Sequence, residues 1–178
     1  MKVIILNGSG GVGKDTFAKY IADYIHFRKG NYVHTSIIRP IKKIVRNTNL
    51  FSASKDEKYR KFLSDLKELT EQYCDYPFKC LKEDFEYCYN KGHDDLFIVD
   101  IREPKDIKRF VTELTDKYNL DKKDIRTVLI TNPNVEPVTS NIADAGVDGY
   151  EYDDVITNSW GKETLRSKAH KFIIDFMY

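Results

Sequence analysis

The sequence predicts an α/β fold, a three-layer α/β/α sandwich around a five-stranded parallel sheet. Three observations carry this. Strand-like and helix-like segments alternate along the whole chain. Two runs, "KVIILN" (2–7) and "LFIVD" (96–100), are apolar on both faces and rich in β-branched residues, as buried parallel strands are. A glycine-rich turn follows the first of these runs directly and opens a helix.

The elements follow in order. After the first strand, residues 14–29 place Phe17, Ala18, Ile21, Ala22 and Ile25 on one helical face, and Gly30 ends the helix. "NYVHTSII" (31–38) is the second strand. Pro40 opens a short helix through Ile41, Ile44 and Val45. Residues 47–55 are loop-like. A helix over 56–74 turns Phe62, Leu63, Leu66 and Leu69 inward, and another runs from Pro77 to about Asn90. "LFIVD" is the third strand. Pro104 starts a helix through Ile107, Phe110, Val111 and Leu114. "IRTVLIT" (125–131) is the fourth strand, 132–149 a loop, 150–157 the fifth strand and 161–177 the last helix, with Leu165, Ala169, Phe172, Ile173 and Phe176 on one face. There is no repeat and no linker, so one domain is expected.

The 178 residues are 41% apolar and 32% charged, which suits one packed domain rather than a disordered chain. A net charge of +1 gives no global basic field for nucleic acid. No apolar run approaches about 18 residues, so no membrane span is expected, and the first strand leaves no room for a signal peptide. Cys74, Cys80 and Cys88 are odd in number and lack the spacing of a zinc or redox site, so they read as reduced thiols in a cytoplasmic protein. His26, His34, His93 and His170 are scattered and are given no role. Charge is uneven along the chain. Residues 39–70 hold nine Lys/Arg against four acids, whereas no Lys or Arg lies between Arg126 and Lys162.

The glycine turn, "GSGGVGKDT" (8–16), carries two overlapping motifs. Gly8, Gly10 and Gly13 match the dinucleotide pattern G-x-G-x-x-G, in which Arg39 would serve a 2′-phosphate. Gly8, Gly13 and Lys14 match the phosphate-binding pattern G-x-x-x-x-G-K. Lys14 favours the second, because it sets a positive charge where β- and γ-phosphates would lie while the glycines let backbone N–H groups turn inward.

With Asp15 after the lysine, this loop resembles that of P-loop nucleoside and deoxynucleoside monophosphate kinases, and the GKDT variant is shared with phosphomevalonate kinases. "RPIKKIV" (39–45) sits where those kinases have a short helix near the acceptor. "RKFLSDL" (60–66) resembles their arginine-led substrate helix, and "VDIREPKDI" (99–107) their strand ending in Asp-x-Arg. The resemblance implies a single P-loop kinase-like domain over 1–178, with a helical acceptor-binding insertion at about 39–91 and a lid-like segment at about 131–150. It implies a phosphotransferase that uses ATP and Mg²⁺, with nucleotides as substrates and a nucleoside or deoxynucleoside monophosphate as the leading acceptor. Gly8, Gly10, Gly11, Val12, Gly13, Lys14, Asp15 and Thr16 would hold the nucleotide. Lys14, Asp15 and Arg102 would serve catalysis, Thr16 and Asp100 the metal, and Arg39, Arg46 and Arg60 the acceptor.

Each residue also has a plainer reading. Asp15 complements a helix dipole. Asp100 is a strand-end residue, and Arg102 forms a surface pair with Glu103 or Asp106. The basic arm is a solvated face, and Tyr59, Phe62 and Tyr73, which would stack on a base, are core. The sequence departs from the family in the lid position, since "TNPNVEPVTSNIADAGVDGYEYDD" (131–154) has no Lys or Arg. A cationic clamp must then come from Arg102, the basic arm or another subunit. In the lid position Thr139, Ser140, Asn141 and Asp144, and Asn158 after the last strand, would contact the nucleotide by hydrogen bonds. A nucleotide-binding protein with little transfer activity and a kinase for a non-nucleotide acceptor such as phosphomevalonate therefore stay open, as does an oligomeric state of monomer or dimer.

Overall fold

A computed structural model describes residues 1–48, 57–92, 95–135, 149–159 and 162–178. Strands β1 (Lys2–Asn7), β2 (Tyr32–Ser36), β3 (Leu96–Asp100), β4 (Ile125–Thr131) and β5 (Asp154–Thr157) form one sheet in the order β2-β3-β1-β4-β5. Every pairing is parallel. The helices are α1 (Lys14–Phe27), α2 (Arg39–Asn47), α3 (Glu57–Cys74), α4 (Tyr76–Lys91), α5 (Pro104–Asp116) and α6 (Lys162–Met177).

Strand alternation divides the core in two. Ile4, Leu6, Leu96, Ile98, Val128 and Ile130 face α1 and α6. Val3, Ile5, Phe97, Val99 and Ile125 face α4 and α5 on the other side. On that second face Phe85 meets Phe97, Phe110 and Tyr118 edge-on at 5.3, 5.8 and 4.9 Å. Each such pair adds about 0.5–1.5 kcal/mol beyond area burial. The predicted sandwich is thus the observed one.

Several expectations change in detail. Gly30 does not supply the left-handed turn after α1; Lys29 does, at φ 58°. Gly30 is needed for space instead, because a Cβ there would lie 2.9 Å from Asp95 Oδ2. The fifth strand starts at Asp154 rather than at residue 150. Tyr150 and Tyr152 turn into the second core cluster, and the Asp153 carboxylate accepts the Thr127 N–H at 2.8 Å. A side chain there does what a strand backbone would have done.

Helix α3 departs most. Leu63 is buried and Leu66 half-buried, but Leu69 is 63% exposed and Phe62 lies at the margin of exposure. The most buried side of the helix carries a charge, Lys67, at 5% exposure. Its ammonium lies 2.6 Å from Glu71 Oε1, 3.0 Å from Glu103 Oε1 and 3.0 Å from Asp106 Oδ2. Lys105–Glu71 and the two-pronged Arg109–Asp75 contact continue this ionic seam between α3 and α5. Apolar periodicity missed the seam because it counts a lysine as outward-facing.

Cys74, Cys80 and Cys88 form no disulfide among the described residues. No helix among the described residues is long and apolar enough to cross a membrane. His93 and most of the lid-like stretch, including Thr139, Ser140, Asn141 and Asp144, lie outside the described residues.

Candidate active site

From β1 the chain crosses through α1 to β2, beyond β3. From β3 it crosses through α5 to β4, on the far side of β1. Neighbouring strands β3 and β1 therefore send their connections in opposite directions. In an open parallel sheet, ligands collect in the crevice beyond the strand ends at such a point. The glycine turn leaves β1 there, and Asp100 and Arg102 leave β3 there.

The turn 8–13 is tightly built. Gly8 (φ 145°) and Gly13 (φ 106°) take conformations that side chains resist. A Cβ on Gly8 would run into the Ile130 carbonyl, and one on Gly13 would lie 2.7 Å from Asn158 Nδ2. Val12 anchors the turn in the first core cluster. Lys14, 8% exposed, opens α1, and its Nζ donates to the Gly8 carbonyl at 3.2 Å. The ammonium thus folds back across the turn. Gly10 and Gly11 lie at its outer part, Asp15 is exposed and Thr16 half-buried in the first turn of α1. Asn158, expected only as a contact from the last strand, braces the turn by donating from Nδ2 to the Val12 carbonyl at 3.0 Å.

Asp100 ends β3. Its Oδ2 lies 3.1 Å from His34 Nε2, and its Oδ1 is buried without a hydrogen bond among the described residues. His34, given no role from sequence, belongs to the site because β2 pairs with β3 in a register that sets Ser36 beside Asp100. The hydrogen bond to Asp100 holds the imidazole above its ordinary value of 6.5 despite burial. Asp15 also raises it and Lys14 lowers it, which places both within electrostatic reach. The pair's contribution to stability is full below the ordinary histidine pKa and is lost as pH rises through the raised one. An NMR titration in a chelator should therefore find His34 above 6.5, and Asp100→Asn should bring it down. A His34 value unchanged by Asp100→Asn would refute the pairing.

Beside Asp100 lies a cavity of about 660 Å³. Its lining includes the cations Arg39, Lys42, Lys43 and Arg46, the carboxylates Glu83, Asp84 and Asp100, and His34 and Tyr76. Lys42 is exposed as a residue, yet its ammonium sits below the ordinary lysine value. Partial burial is the main cause, followed by repulsion from Arg102, and Arg46 adds to it; Asp15 and Asp100 act the other way. Lys42 is thus the point where the basic arm meets the strand ends. Arg39 and Arg46 line the cavity, but Arg39 is held in a fork by Asp84 at 2.7 and 2.6 Å. Arg60, exposed on α3, is not among the lining residues. Arg102 is half-buried. The carboxylates expected to pair with it, Glu103 and Asp106, face Lys67 instead. Tyr73 is 87% exposed, while Tyr59 packs on a small third cluster formed by Ile41, Val45 and Leu63.

Sheet order, glycine turn and helices on both faces define the P-loop NTPase type of α/β fold. No family model and no curated protein matches the sequence significantly. Among solved structures, the chain is similar to an unliganded sugar kinase from Janibacter sp. HTCC2649, with TM-score 0.52 and 12% identity, covering 99% of this chain and 95% of that one. It is also similar to a tunicamycin resistance protein of Deinococcus radiodurans, with TM-score 0.55 and 12% identity, covering 97% and 96%. At that identity the likeness is one of fold.

Proposed function

We propose that the protein is a phosphotransferase that moves the γ-phosphoryl group of ATP to a small phosphorylated acceptor, with a nucleoside or deoxynucleoside monophosphate foremost. One observation carries this reading: the glycine turn closed by Lys14 leaves the sheet beside Asp100, which lines a cavity that also holds Lys42, Lys43 and Arg46, and Asp15 lies within electrostatic reach of Lys42 there. The volume falls in the range of small-molecule pockets, about 300–1,000 Å³. A kinase among the proteins of similar fold agrees with it.

In such a transfer the bond from the γ-phosphorus to the ADP oxygen breaks as one to an acceptor oxygen forms, and charge spreads over the equatorial oxygens. Lys14 would hold the β- and γ-phosphates. Arg102, Lys42 and Arg46 would stand on the acceptor side, supplying the positive charge that segment 131–154 lacks. Asp15 would orient the attacking oxygen or take its proton. The residues present suit Mg²⁺: Asp100 has a buried oxygen with no hydrogen bond among the described residues, and Thr16 offers a hydroxyl near the turn. Among the described residues no group of three metal-ligating side chains exists, in keeping with a metal held largely by phosphates and water. When bound, Mg²⁺ would neutralise charge on the phosphates.

The test is coupled ADP release from Mg-ATP across ribo- and deoxynucleoside monophosphates, with phosphomevalonate, a free sugar and no acceptor beside them. Stimulation by one or a few monophosphates is expected. Stimulation by another acceptor alone would reassign the cavity. ATP binding with silence throughout would favour a binding protein without transfer activity.

A further inference from the structure

We infer that Asn7 is a positioning residue that locks together the glycine turn, the loop carrying Arg102 and the chain entering β5; its effect on catalysis rests on the phosphotransferase reading above. Asn7 is the last residue of β1 and is fully buried. Its Nδ2 donates to the Arg102 carbonyl at 2.8 Å and to the Tyr152 hydroxyl at 2.6 Å. Its Oδ1 accepts the Gly8 N–H at 2.6 Å. A carboxamide is the neutral side chain that offers two donors and an acceptor at one point, and both donors and the acceptor are used here.

The consequence lies in what those partners hold. The Gly8 carbonyl receives the Lys14 ammonium, so Asn7 grips one end of Gly8 while Lys14 grips the other. The Arg102 backbone is fixed by the same amide. The two cations on either side of the crevice, Lys14 and Arg102, are thereby registered through one side chain that need touch no substrate. Tyr152 adds a third support from a distant part of the sequence, and Tyr150 packs against it at 5.0 Å between ring centres. The Arg102 loop is also held at its next residue, Glu103, by Lys67. Between these two grips, Arg102 has a fixed place from which to meet developing charge. Misplacement of such a group by about 1 Å is enough to cost on the order of 10²-fold in rate.

Three variants test this: Asn7→Leu, Asn7→Asp and Tyr152→Phe. Asn7→Asp keeps the acceptor for the Gly8 N–H but no longer donates to Arg102. Tyr152→Phe removes one hydroxyl, part-buried and far from the turn in sequence. We expect both Asn7 variants to lower kcat on the order of 10²-fold with KM for either substrate changed by less than about threefold. Tyr152→Phe should have a smaller effect that vanishes in the Asn7→Leu background, because it travels through Asn7. Amide exchange supplies a readout that needs no turnover. Tyr152→Phe should speed exchange in peptides covering 8–13 and 101–103 while leaving α3 unchanged. Wild-type inactivity would sink the phosphotransferase reading and leave the exchange arm to decide the junction. Unchanged exchange in those peptides, or folded Asn7 variants with wild-type kcat, or additive effects in the double variant, would overturn the inference.

Discussion

Lys14→Ala is expected to lower kcat at least on the order of 10²–10³-fold, the usual effect of removing one preorganised charge-stabilising donor. The fold should survive. Alanine is a good helix former, and the ammonium's contact with the Gly8 carbonyl is one within the turn itself rather than one that joins elements of the core. ADP release and a thermal melt on the same preparation separate the two effects. Wild-type turnover by the variant would remove the assignment of residues 8–16 as a phosphate-binding loop, and with it the kinase reading.

Lys67→Met is expected to act in the opposite way, on stability far from the phosphates. Burial alone would lower the Lys67 ammonium, but attraction from Glu103 and Asp106 and the hydrogen bonds with Glu71 and Glu103 hold it above the ordinary lysine value. Removing it takes the shared cation from Glu103 and Asp106 and leaves Glu71 only Lys105, around a side chain only 7% exposed. Breaking a buried ionic cluster in this way costs about 3–5 kcal/mol, or roughly 6–20 °C in Tm for a chain of this size. The pH dependence is a further check. Burial already holds Asp106 above the ordinary carboxylate value in spite of Lys67. A carboxyl raised in the folded state destabilises the fold above that raised pKa, and the penalty is relieved as pH falls through it toward the ordinary value of about 3.9. The deficit of Lys67→Met should therefore shrink on acidification, and Asp106→Asn in the same chain should recover part of it at neutral pH. A melt within about 2 °C of wild type would show that the seam between α3 and α5 is not a source of stability.

The two variants differ in how visible their residues are in the sequence. Lys14 is marked by its neighbours: six residues from Gly8 and one from Gly13, it stands where contiguous spacing alone makes a phosphate cradle. The spans of β1 and β3 are equally plain, because a strand buried on both faces is a near-continuous apolar run, and β4 keeps such a run from Val128 to Ile130. Lys67 carries no such mark. Its partners Glu103 and Asp106 lie 36 and 39 residues on, and they meet it only because α3 packs against the start of α5. His34 is hidden for a similar reason: nothing near it in the chain announces Asp100, and the parallel register of β2 on β3 supplies the neighbour. Asn7 stands immediately before the best-marked motif of the protein, yet its partners Arg102 and Tyr152 come from two other strands' connections. Helix α3 shows the converse error, where Leu69 fits the apolar period but faces outward because an ionic contact defines the inner side.

By itself, then, the sequence determined the alternation of strands and helices, the three-layer sandwich and the glycine turn with its lysine. These follow from periodicity, backbone sterics and charge within a few contiguous residues. The tertiary structure alone decided that Asp100 pairs with His34 on the wall of a cavity that Lys42 and Arg46 also line, and that Asn7 and Lys67 hold neighbouring residues of the Arg102 loop. Those relations depend on which strands are neighbours and in what register, and such choices are made by the packing of the whole chain rather than by any one segment of it.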